Sequence, residues 1–277
     1  MAANNIGSQQ IKSATATPVV GGLVGGNTIT VTGNGQSEDY AVAAKASAKD
    51  IAKGLNGLIG GLTASASTEV SFAVDATKAA VSAVGFTLEV GTQKVDILGV
   101  TSNSGLADQL KSNAAKLGIS VNYDETNDTL SIKSDTGENV AFSASAGDTT
   151  ALDIATKGAD GKYSTTAKLA DGLIANGAVS LDSAKGYALT GTGVAAVFGT
   201  STTSQKTSIA QTDVTDATNA QNALAVIDKA IGSIDSVRSG LGATQNRLQT
   251  TVDNLQNIQK NSTAARSTVQ DLSLIHI

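Results

Sequence analysis

From Asp216 onward, apolar side chains recur at alternating spacings of three and four, which predicts one long α-helix for the last part of the chain. Leu224, Ile227, Ile231, Ile234, Leu241, Leu248, Val252 and Leu255 fall on the seam of a seven-residue repeat, interrupted at Arg238 and Gln245. Thr215 or Asp216 can cap the start by accepting from the first free N–H groups. Carried to Gln270, such a helix runs roughly 80 Å at a rise of about 1.5 Å per residue. Gly240 and Gly242 each weaken it by about 1 kcal/mol relative to Ala. A helix with one apolar stripe draws most of its stability from tertiary packing. It therefore needs partner helices, and no other segment of this sequence has its length and pattern.

The preceding residues follow a different grammar, rich in Gly, Ser, Thr, Val and Ala with short alternating runs. Thr28–Val31, Phe86–Val90, Lys94–Ile97, Ala178–Leu181 and Tyr187–Leu189 read as strands, and Ile119–Tyr123 with Thr129–Lys133 as a hairpin around Asp124–Asp128. An offset of 55 residues superimposes Tyr40 and Val42 on Val95 and Ile97, Ile51 and Leu55 on Leu106 and Leu110, and Leu62 on Leu117. Each unit then reads strand, strand, amphipathic helix, strand. The expected architecture is α+β: a linker and strand segment at 1–26, outer modules at 27–84 and 85–146, a β-rich return at 147–214, a rod helix at 215–271 and a tail at 272–277. Much of the 40% hydrophobic content is Ala, so the core should be thin and methyl-rich.

Composition argues against chemistry. There is no Cys, and the one His is His276, so thiolate sites, Ser–His relays and the commonest metal ligand are excluded from the body of the chain. Aromatics are 3%, Trp is absent and the net charge is −5, which opposes nucleic-acid binding. No secretory signal or membrane-length apolar run is present. Gly191–Ala196 matches a dinucleotide fingerprint with Asp213 about 20 residues on, but the residues from Val197 to Ser204 lack helical periodicity, so a turn between strands is expected. Asp124, Glu125 and Asp128 lack the alternating ligands of a calcium loop and read as a solvated hairpin tip. No cofactor or metal is expected.

The stretches Ala223–Ala230, Val237–Leu248, Asn254–Leu255 and Ala264–Ser267, with Leu-Gly-Ala-x-Gln-Asn-Arg at their centre, resemble the C-terminal rod helix of bacterial flagellins. Leu106–Phe142 is similar, more loosely, to modules of the outer domains of flagellins and of the filament cap protein. The resemblance implies a structural, non-enzymatic subunit of the extracellular flagellar filament, exported without a cleaved signal peptide and serving motility. Its implied partners are other flagellin subunits, the junction and cap proteins and a host innate-immune receptor, with no nucleic acid or membrane. The family's N-terminal rod helices and terminal inner helix are not matched, so the sequence reads as the middle and part of the C-terminal rod of a longer chain, with Met1 internal or added. Leu272–Ile277 looks like a translated sequencing adapter and is read as foreign, His276 with it. Ile227, Ile231, Ile234, Leu241, Leu248, Val252 and Leu255 are the expected assembly seam, and Gln245, Asn246, Arg247 and Arg266 the expected polar contacts between rods, Gln245–Arg247 also facing the receptor. A hook–filament junction or other axial protein, an adhesin-like binding module and a nucleotide-dependent enzyme remain as alternatives.

Overall fold

Alternating apolar residues and glycine-bearing turns set the first elements. In a computed structural model describing residues 6–215 and 217–277, β1 (Gly7–Lys12) and β2 (Val19–Val20) precede a hairpin of β3 (Asn27–Gly33) and β4 (Gln36–Val42). Asn34 and Gly35 join them at φ of 53° and 77°, the twist a two-residue hairpin turn requires. Helix α1 (Ala48–Leu55) opens on a capping box. The Ser47 hydroxyl accepts from the Asp50 N–H (3.1 Å), and the Asp50 carboxylate accepts from the Ser47 N–H (3.1 Å). Those Ser47 hydrogen bonds hold the Asp50 carboxyl below the usual carboxylate range. The twelve-residue β5 (Thr63–Val74) follows.

After α2 (Ala76–Val81), a second hairpin forms from β6 (Val84–Val90) and β7 (Gln93–Val100), followed by α3 (Asn103–Leu117). That helix stops at Gly118, whose φ of 65° a side chain would resist. The expected hairpin is β8 (Ser120–Asp124) with β9 (Thr129–Ser134), Val121 opposite Ile132. The return segment carries β10 (Val140–Ala146), β11 (Leu152–Thr156), β12 (Ala167–Lys168), β13 (Leu173–Ala175), β14 (Ala178–Ser183), β15 (Tyr187–Thr190), α4 (Val194–Phe198) and β16 (Gln205–Ser208). The last element is α5 (Ala217–His276).

Among the described residues all strand pairings are antiparallel and make three sheets. One runs β12-β11-β5-β14-β1-β16, with β9 and β8 joining at β5; the others run β2-β13-β10-β6-β7 and β15-β3-β4. Strand β5 serves two cores. Its first residues pair with β14, and Thr68–Phe72 pair with β9 while Val70–Val74 pair with β11. One core gathers Ile29, Val31, Ile51, Leu55, Leu189 and Phe198. The other gathers Phe72, Phe86, Leu106, Leu110, Ile132 and Phe142. Phe142 packs edge-on against Phe72 at 6.0 Å and tilted against Phe86 at 5.9 Å. The thin, methyl-rich core expected from composition is thus corrected: Ala lies largely outside two centres of branched aliphatics and Phe.

Asp182 is 4% exposed and accepts from the Ser8 hydroxyl (2.9 Å) and the Gln10 side-chain amide (2.6 Å), tying β1 to β14 from inside. Nearby, the Tyr187 hydroxyl donates to the Leu181 carbonyl (2.8 Å), and burial first, then the Asp182 charge, pushes its ionisation upward.

The chain divides into two units, Met1–Lys229 and Ala230–Ile277. Of the two candidate caps for α5, Thr215 donates its hydroxyl to the Asp213 carboxylate (2.9 Å), and Asp216 lies outside the described residues. The helix continues past Gln270 through Leu272–His276.

Candidate assembly surface on the C-terminal helix

The period of three and four places the seam residues along one side of α5. Within the first unit, the opening turns bury Ala223 and Val226 (4% and 1% exposed), while Leu224 and Ile227 stay out at 69% and 42%. The face that docks is therefore a neighbouring stripe of the helix, and the seam is left open. In the second unit Ile231, Ile234, Leu241, Leu248, Val252 and Leu255 are all exposed, from 40% at Ile234 to 65% at Leu241. Such a run of bare aliphatics is not what a solvated face carries.

Sequence reasoning missed two members of this surface. Val269 is exposed and lies two seven-residue repeats beyond Leu255, so the same period reaches it; Ile258 is exposed beside the seam position held by Gln259. It also missed the docking stripe, because Ala223 carries too small a side chain to mark a face.

Gln245, Asn246, Arg247 and Arg266 are exposed on the same helix. The backbone carbonyls of Asn246 and Arg247 accept from the hydroxyls of Thr250 (3.0 Å) and Thr251 (2.9 Å). Arg238, which interrupts the seam, reaches Asp235 at 4.0 Å, an exposed pair worth little by itself. Gly240 and Gly242 have nothing within 4 Å of where a Cβ would stand, so no crowding among the described residues calls for glycine there.

The other candidates resolve into structural roles. The short helix α4 begins inside the Gly191–Ala196 motif, at Val194, and ends at Phe198, so of Val197–Ser204 only the first two residues are helical; its five residues bury Val194, Val197 and Phe198. A Cβ on Gly191 would stand 2.4 Å from the Thr28 carbonyl oxygen, and the Gly193 N–H donates to that oxygen at 2.9 Å. These glycines let two backbones meet. At the β8–β9 tip the Asp124 carboxylate accepts from the Asn127 side chain (2.6 Å) and from the Thr126 and Asn127 N–H groups, which lowers its pKa. Asp128 accepts from the Tyr123 hydroxyl (2.9 Å) and the Asn103 amide (3.1 Å), fastening the tip to the start of α3. Among the described residues no three His, Cys, Asp or Glu side chains are placed to hold a metal ion, and no helix is long and apolar enough to cross a membrane.

Residues 224–274 match the family model of the bacterial flagellin C-terminal helical region. Over 241 residues the chain is 43% identical to the B-type flagellin of Pseudomonas aeruginosa, covering 83% of this chain and 49% of that one. Polar flagellin C of Vibrio parahaemolyticus is 42% identical over 79 residues (28% of this chain, 21% of that one). A flagellin of Halalkalibacterium halodurans is 44% identical over 68 residues (24% and 25%). The chain thus spans about half the length of the first relative and a quarter or less of the others. The flagellar cap protein FliD from Helicobacter pylori aligns over 74% of this chain and 84% of that one at 10% identity and a TM-score of 0.15, too low to argue from.

Proposed function

The chain belongs with the bacterial flagellins over most of its length, and from that premise we propose that it is part of a structural subunit of the flagellar filament, assembling through the α5 seam and serving motility from outside the cell. The observation that carries this reading is the open seam beside a buried stripe on one helix. Each seam residue contributes about 1.5–3 kcal/mol when fully buried, and a helix of this kind needs that burial. A surface that packs on a different surface of the next copy does not close on itself, so repetition yields a helical polymer. Gly240 and Gly242, uncrowded in this chain, leave room for a neighbouring rod to approach closely. Gln245, Asn246, Arg247 and Arg266 fix register between rods through amide and guanidinium hydrogen bonds. Junction and cap proteins meet the same subunit at the filament's ends, and the surface at Gln245–Arg247 contributes to recognition by a host innate-immune receptor.

The first unit is the outer part. The two hairpin–helix segments, β3-β4-α1 and β6-β7-α3, are two copies of one module, bounded at 27–84 and 85–146, with 147–214 as the return. A groove of about 610 Å³ in this unit, lined by Ser67, Glu69, Lys157 and Asp182 together with Leu224 and Ala225 of α5, supports the second reading, an adhesin-like ligand-binding role for the outer part. The test is polymerisation of a full-length flagellin carrying this sequence, followed by electron microscopy with and without residues 230–271. Filaments from the intact chain alone support assembly through α5; filaments from both overturn it. Saturable glycan binding by the intact chain would raise the second reading.

A further inference from the structure

The sequence contains three Asn-Gly pairs, Asn34–Gly35, Asn56–Gly57 and Asn176–Gly177. Such a pair can modify itself, because a backbone nitrogen followed by no Cβ is open to attack the preceding side-chain carboxamide. The fold treats the three differently. Asn56 Oδ1 accepts from the Ala64 N–H (3.1 Å) and the Gly57 N–H donates to the Leu62 carbonyl (3.0 Å), so both reacting groups are engaged. Asn176 is half-buried with its amide donated to Asn139 Oδ1 (3.0 Å), and the Gly177 backbone is packed so closely that a Cβ there would stand 2.1 Å from Thr68 Oγ1, which resists the movement ring closure needs. Asn34 is exposed in the β3–β4 turn, and Gly35 has nothing within 4 Å of its Cβ position. The Lys185 ammonium donates to Asn34 Oδ1 at 2.7 Å.

We infer that Asn34–Gly35 is a self-modification site, at which the carboxamide converts to aspartate and isoaspartate with Lys185 as the oxyanion-stabilising residue. The Gly35 nitrogen bonds to Asn34 Cγ, and negative charge develops on Oδ1, the atom Lys185 already contacts. The Cγ–Nδ2 bond then breaks, and ammonia leaves with the proton surrendered by the Gly35 N–H, closing a succinimide. Water opens that ring at either carbonyl. Opening at the side-chain carbonyl gives aspartate; opening at the backbone carbonyl routes the chain through the side chain and gives isoaspartate. The new carboxylate faces Lys185, so the product gains an ion pair. Isoaspartate also adds a backbone methylene inside a two-residue turn that sets Gly33 opposite Gln36, loosening the hairpin at that end.

The experiment incubates the intact chain at pH 7.4 and follows amide-to-acid conversion at each Asn by peptide mapping and mass spectrometry. Asn34 should convert well ahead of Asn56 and Asn176 in the native chain, and the three should converge in denaturant. Lys185→Met should slow conversion at Asn34 by about two- to five-fold, the span of an exposed charged contact, while Lys185→Arg retains most of the rate. Equal native rates at the three sites overturn the site; an unchanged or faster rate in Lys185→Met overturns the role of Lys185.

Discussion

Leu248 lies midway along the seam and is 61% exposed, so roughly three-fifths of its surface is free to be covered by a neighbour. Full burial of a Leu side chain is worth about 1.5–3 kcal/mol, so that remainder is worth about 1–2 kcal/mol. Leu248→Ala removes most of it, once per subunit added to a filament end. At about 1.4 kcal/mol per tenfold, the critical concentration for polymerisation should rise about 5- to 30-fold. Leu248→Asp, which adds a charge to a dry seam, should block assembly outright. In the unassembled chain the same changes should be nearly silent, because substitutions at exposed positions stay within about 0.5 kcal/mol. Phe142→Ala is the opposite case: fully buried between Phe72 and Phe86, it should cost about 3–5 kcal/mol of first-unit stability. Sedimentation across a concentration series measures the first quantity and calorimetry the second. A Leu248 variant that melts the first unit as Phe142→Ala does, or polymerises at the unaltered critical concentration, refutes the reasoning.

Other perturbations have equally definite outcomes. Ser47→Ala removes the α1 cap and should cost about 1 kcal/mol by chemical denaturation. Because the Asp50 carboxyl is held below its unfolded value of about 3.9, its contribution is present above that pH and lost as pH falls through the lowered value, so acid titration of Ser47→Ala should show a shallower loss there. Gly54→Ala would put a Cβ 2.0 Å from the Tyr40 ring and should destabilise by about 1–3 kcal/mol in the same assay. Gly240→Ala, with open space around it, should instead raise helicity by circular dichroism and stabilise the helix by about 1 kcal/mol.

Local periodicity carried the fold where structure is local. The α5 seam, the β8–β9 hairpin and the strands at Thr28–Val31, Phe86–Val90 and Tyr187–Leu189 were all legible, because each is written in consecutive residues. The return segment was not registered from sequence. Its strands pair with β1 and β5 across long separations, and the Asp182 contacts to Ser8 and Gln10 span 174 and 172 residues. No short window contains such information. Strand β5 was hidden for a second reason: its inward positions alternate throughout, but the first of them are Ala64, Ala66 and Thr68, too small or too polar to mark a strand. Sequence periodicity did not reveal α4, whose five residues from Val194 to Phe198 are too few to show a helical period and are held by burial of Val194, Val197 and Phe198. On α5 the seam was visible from Ile and Leu, and the docking stripe was not, because Ala is common to every face of the helix.

The sharpest test of the open seam uses the absence of cysteine from these 277 residues, so that a thiol introduced on α5 is read without background in the peptides of this region. Leu255→Cys would be reacted with a maleimide in the unassembled chain and in polymerised full-length protein. Rapid labelling when free and strong protection when assembled is the expected result. Equal protection in both states would mean that the helix covers its own apolar stripe, and assembly through that stripe would be contradicted.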